Sequence, residues 1–231
     1  MAIKVTTTKD YSSGGVKVLL HAPAGYEKTR LCATAPNPII ISNESGLLSL
    51  QDEDIPVIEV FNKTDLDDAY HFITSSKEAE QYQTICLDSI SEIAEVLLTT
   101  YKKEEKDPRA AYGRMNDDIA ITIRAFRDIQ NKHVYFAAKQ TRVEADGQPL
   151  RFMPSMPGKV SLNATSYYFD LVGAIRVGKL EDETVYKYIQ TYGDINYEAK
   201  DRSGRLLPKE KPNLTYIFNK IMNKKKEVKN G

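Results

Sequence analysis

The chain has 231 residues, enough for one α/β domain around one core. Its hydrophobic content of 41% and charged content of 28% are those of an ordinary globular protein. A formal net charge of zero gives no global electrostatic argument for a nucleic-acid or membrane partner. Charge is uneven along the chain, however. Lys200 to Lys229 is basic and Gln51 to Glu80 leans acidic. Cys32 and Cys86 lie in apolar runs at a spacing that fits neither a metal motif nor a disulfide framework, so buried thiols in a reducing cytoplasm are expected. No run approaches the roughly 20 apolar residues of a membrane span, and Met1 to Val5 lacks a signal-peptide pattern.

In chain order, residues 1–15 read as a lead-in ending in the Ser12-Ser13-Gly14-Gly15 loop. Val16 to Leu20 predicts a strand, and Arg30 to Thr34 a helical stretch that Pro36 and Pro38 break. Ile39 to Ile41, Val57 to Phe61, Thr84 to Leu87 and Val134 to Ala138 predict further strands, the most apolar of them buried on both faces. Helical spacing marks Asp65 to Ile73, Ser89 to Tyr101, Asp117 to Ile129 and Leu214 to Met222. Lys102 to Gly113 and Thr141 to Gly158 read as long loops, and Leu171 to Val177 with Thr184 to Tyr192 as late antiparallel strands. Strands alternating with helices predict a single α/β domain with a mainly parallel sheet over 1–231 and a basic tail at 223–231.

Ala22-Pro23-Ala24-Gly25-Tyr26-Glu27-Lys28-Thr29 links a predicted strand to a predicted helix. A phosphate-binding loop needs inward N–H groups, a Lys for the β- and γ-phosphates and a Ser or Thr for Mg²⁺. Lys28 and Thr29 supply the last two. Ala22 and Glu27 stand where glycines are usual, and Glu27 adds a carboxylate and removes backbone freedom. A strand-turn-helix with an incidental Lys and Thr is the plainer alternative. Asp88, ending the Thr84 strand, is placed to complete a Mg²⁺ shell with Thr29, though a helix N-cap looks the same. His21, His71 and His133 show no metal-ligand spacing.

The ordered strings KVLLHAPAGYEKTRLCATAPNPIIISNESGL, IPVIEV, TICLDSISEI, VYFAAKQTRVEADG, MPGKV, YYFDLVGAIRV and YEAKDRSGRL resemble phage-encoded P-loop ATPases with a RecA-like core. The resemblance implies an ATP and Mg²⁺ site formed by Pro23, Ala24, Gly25, Tyr26, Glu27, Lys28, Thr29 and Arg30, with Thr29 and Asp88 on the metal. It implies that Lys28, Glu44 and Gln140 carry catalysis: Glu44 activates the attacking water and Gln140 senses the γ-phosphate. Lys139 departs from the family's Asn. Lys200 and Arg202, in a Lys-x-Arg-x-Gly element, would act from a neighbouring protomer, although Arg202-Ser203-Gly204 also makes a good turn. Arg142, Arg151, Phe152 and Lys159 become candidate contacts to single-stranded DNA, the alternative being a surface loop with scattered charge. The implied function is annealing or strand exchange by a ring or filament of this chain in a bacterial host's cytoplasm, with no membrane. A phage or host single-strand-binding protein is a candidate partner. The competing expectation is a RecA-fold interaction protein whose drifted loop binds nucleotide weakly.

Overall fold

The computed structural model describes residues 14–43, 47–144, 150–157 and 166–222. Glu44, Lys159 and the 223–231 tail lie outside the described residues, as does most of the lead-in.

The centre is a parallel sheet of β1 (Lys17–Ala22), β2 (Pro38–Ser42), β3 (Val57–Glu59), β4 (Thr84–Asp88), β5 (His133–Val143) and β7 (Leu171–Lys179). Its order is β7-β1-β5-β4-β2-β3. β8 (Val185–Gln190) joins β7 antiparallel, and β10 (Lys209–Glu210) continues antiparallel beyond β8. β6 (Arg151–Pro154) folds back on the far end of β5, and β9 (Lys200–Asp201) pairs with the start of β7. This is the expected α/β architecture, with antiparallel strands toward the C-terminal side.

Every residue of β1 and β4 is buried, because both sheet faces are covered. Side chains alternate between two cores. Leu19, Ile41, Leu87 and Phe136 pack under the helices α1 (Lys63–Ser75), α2 (Ile90–Glu104) and α3 (Pro108–Arg127). Val18, Leu20, Ile40, Cys86 and Tyr135 face Leu31, Cys32 and the C-terminal helix Leu214–Ile221. Cys32 and Cys86 are both free and buried. No helix among the described residues is long and apolar enough to cross a membrane.

Local chemistry explains where the chain departs from the sequence pattern. The interval 102–113 is mostly helix rather than loop. α2 continues to Glu104, and Pro108 opens α3 instead of breaking it. Asp107 caps that helix by accepting from Arg109 N, and proline at the first helical position loses no hydrogen bond. Within 141–158, β5 runs on to Val143 and pairs with β6. The helical stretch after Lys28 is a 3-10 turn, Thr29–Thr34, and its C-cap Ala35 is extended because Pro36 follows.

Phe126 is 1% exposed and meets Tyr70 edge-on at 5.3 Å. Phe126→Ala should lower unfolding free energy by about 3–5 kcal/mol in a urea titration, the cost of an unfilled aromatic cavity.

Candidate functional site

β1 and β4 are not neighbours; β5 runs between them. Strands on either side of such an inserted strand leave a crevice at their C-terminal ends, and ligands of open α/β sheets bind there. The loop after Ala22 and the acid ending β4 both open onto it. The crevice is a cavity of about 600 Å³.

Loop residues Ala22 to Gly25 and Glu27 to Thr29 form one wall. Gly25 and Glu27 both adopt left-handed backbone, at φ +78° and +62°. The position where glycine is usual therefore keeps the glycine conformation although Glu occupies it, at a cost of roughly 1–2 kcal/mol. The Glu27 carboxylate is turned to Lys187 on β8, at 2.7 Å. The Lys28 ammonium donates to the carbonyls of Ala22 at 3.1 Å and Pro23 at 2.9 Å, folded over its own loop. Tyr135 on β5 donates its hydroxyl to the Lys28 carbonyl at 3.0 Å, fixing the loop's exit.

Below the loop, Thr29 and Asp88 line the same cavity, and the Thr29 hydroxyl favours the ionised form of the Asp88 carboxyl group. Asp88 is 1% exposed, and its Oδ2 is buried without a hydrogen-bond partner. Burial raises the Asp88 carboxyl above the usual carboxylate range, opposed by the Thr29 hydroxyl and the Lys28 charge. Ser89 is also the N-cap of α2, accepting from Glu92 N, so the strand's acid and the cap are consecutive residues rather than alternatives. An orphaned buried carboxylate oxygen beside a threonine hydroxyl suits a hard, oxygen-seeking cation. Among the described residues no group of three His, Cys, Asp or Glu could hold a metal alone. A Mg²⁺ held by Thr29 and Asp88 would therefore need oxygens from a bound polyphosphate or water.

The opposite wall carries Glu92, Lys139 and Gln140. Lys139 is level with Ala22 in the β1–β5 register, and its ammonium pairs with Glu92 at 2.5 Å and Glu95 at 3.0 Å. Sequence reasoning noted Lys139 only as a departure and did not single out Glu92, Tyr135 or Lys187. The Ser89-to-Glu92 capping spacing was the one local sign available. A second cavity, of about 210 Å³, adjoins the loop's outer side at Tyr26, Glu27, Arg30 and Lys187.

The other candidates lie elsewhere. Lys200 and Arg202 do not line the cavity. β9 is paired with Leu171 and Val172, which align with Val18 and the residue after it, near the opposite end of the strand from the loop. There Lys200 lies 5.6 Å from the Tyr167 ring centroid and Arg202 donates to the Tyr167 carbonyl. Arg142 is exposed on the β5–β6 hairpin. Arg151 pairs with Glu198 at 2.5 Å, and Phe152 stacks on Tyr197 at 4.9 Å, so both already have internal partners.

A family profile described as an AAA domain, AAA_24, matches residues 14–203 of this chain. That span contains the loop, Asp88, Gln140 and the Lys200-Arg202 pair. No curated protein matches the chain.

Two substitutions probe the loop. Lys28→Ala should abolish the rise in melting temperature that ATP with Mg²⁺ produces. Lys187→Met should weaken ATP binding about 3- to 10-fold in calorimetry, because the Glu27 carboxylate is then uncompensated near the phosphates.

Proposed function

Since the chain belongs to the AAA-domain family of P-loop NTPases, we propose that it hydrolyses ATP between protomers and uses the cycle to act on single-stranded DNA, in annealing or strand exchange. The observation that carries the nucleotide part is the partnerless Asp88 Oδ2 beside Thr29, directly below the loop. A bound Mg²⁺ would neutralise charge on the β- and γ-phosphate oxygens.

The chain's own groups have separate tasks in this reading. Loop N–H groups from Ala24 to Thr29 cradle the phosphates. Lys28 exchanges the carbonyls of Ala22 and Pro23 for phosphate oxygens, trading neutral acceptors for charged ones. The smaller cavity beside Tyr26 and Arg30 takes the nucleoside, since it adjoins the phosphate cavity through Glu27. Glu44, two residues beyond the end of β2, activates the attacking water. Ser42, that strand's last residue, is level with Asp88. Lys200 and Arg202 complete the neighbour's site, which agrees with their distance from their own. The DNA-contacting element is the β5–β6 hairpin, with Arg142 exposed and Gln140 at its root. Rings, filaments and a phage or host single-strand-binding partner belong to the same reading.

A second reading is favoured by one feature. Glu27 places a carboxylate and a strained residue in the loop, and a nucleotide-impaired interaction protein of a replication or recombination complex would tolerate both.

Purified protein should release phosphate from ATP, faster with single-stranded DNA, and Lys28→Ala should lose about 100-fold or more of that rate. Binding to the DNA should weaken steeply with salt. ATP turnover without any single-strand binding at low salt would leave the ATPase and remove the DNA role; neither activity would favour the second reading.

A further inference from the structure

His21 is the second-last residue of β1, immediately before Ala22 and the phosphate loop, and it is fully buried. Both ring nitrogens are engaged. Nε2 is 2.8 Å from the Glu198 carbonyl oxygen, and Nδ1 is 3.1 Å from Oε1 of the Gln140 amide. A carbonyl oxygen only accepts, so Nε2 carries a proton. The ring then has two options. With a second proton on Nδ1 it is a cation and the Gln140 oxygen suits it. Without one, Nδ1 is an acceptor, and a half-turn of the amide must bring the Gln140 NH₂ to it.

Complete burial of the ring favours the neutral form. Burial lowers the imidazole's proton affinity, and the nearby Lys28 charge acts in the same direction. The Glu198 carbonyl, the Gln140 amide and the Glu198 carboxylate act the other way, each less than burial but more than Lys28. That carboxylate is itself paired with Arg151.

We propose that His21 is a positioning residue for Gln140: locked as the neutral Nε2–H tautomer by the Glu198 carbonyl, it holds the Gln140 NH₂ and turns the amide oxygen to the nucleotide cavity. Gln140 then offers an acceptor that can orient the attacking water, rather than both its N–H groups to the γ-phosphate. The catalytic half of this inference rests on the ATPase reading; the tautomer and amide orientation do not. The same ring also joins the cavity to the β5–β6 hairpin, because the Glu198 N–H donates to the Phe152 carbonyl at 2.8 Å.

The test uses the full chain with ¹⁵N-labelled histidine and no nucleotide. The His21 resonances, assigned by their loss in His21→Phe, should report a neutral Nε2–H tautomer that does not titrate between about pH 6 and 8. Gln140→Glu should convert them to imidazolium at neutral pH, because a carboxylate cannot donate to a bare Nδ1 and favours a proton there; Gln140→Met should leave the ring neutral. In turnover assays, His21→Phe should lower kcat about tenfold and leave the KM for ATP unchanged, since the phosphate-binding groups are untouched. An Nδ1–H tautomer, or an imidazolium at pH 7 in the wild-type chain, overturns the proposal. So does a ring that stays neutral in Gln140→Glu. An unchanged kcat in folded His21→Phe overturns the catalytic role. Wild-type protein with the expected tautomer but no turnover overturns the ATPase reading and the water-orienting role, while the amide orientation stands.

Discussion

The burial of the Asp88 carboxyl group at the end of β4, facing the cavity that Thr29 also lines, is the constraint on which the site depends. It places the acid of β4 opposite the turn that follows β1, across the intervening β5, at the C-terminal ends of central strands buried on both faces. Burial holds the two strand ends in register, and the same burial leaves Asp88 Oδ2 without a hydrogen-bond partner from the protein. A carboxylate in that position is costly until a cation neutralises it. The protein's core thus creates the demand for charge that the bound nucleotide and its metal would meet.

The loop above that contact is held by more than its own sequence. Gly25 can take a positive φ freely, but Glu27 takes it at a cost, and the surroundings supply the restraint. Tyr135 grips the Lys28 carbonyl from the sheet, and Lys187 draws the Glu27 carboxylate outward to β8. The exposed ion pair contributes little stability of its own, roughly 0–1 kcal/mol. Its importance is electrostatic, since it neutralises a carboxylate that would otherwise oppose an anion bound at the loop. The turn that follows is a 3-10 segment of six residues, so the loop's N–H groups matter more here than a long helix dipole would.

The far side of the cavity connects to the β5–β6 hairpin through a short series of hydrogen bonds. Gln140 is on the strand that forms the hairpin, His21 is on the strand that starts the loop, and Glu198 is bound to both His21 and Phe152. Such a chain has two arrangements only if one member can turn. The Gln140 amide is that member, being half-buried between a fixed ring and the open cavity.

The sequence by itself determined the alternation of strands and helices, the Lys28-Thr29 loop and Asp88 at a strand end. Each of these is carried by local pattern: continuous apolar runs, a turn, and an acid at the boundary. It misjudged Pro108, because one proline both ends and starts helices, and only the Asp107 cap distinguishes the two. Tertiary structure alone decided that Asp88 serves as both buried acid and neighbour of a cap, that Glu27 is paired off by Lys187, and that His21 faces Gln140. The partners in the last two contacts are 160 and 119 residues apart in the chain. No periodicity or motif encodes such pairings; one joins neighbouring parallel strands and the other a loop to an antiparallel strand, and in both the side chains meet only once the sheet has formed.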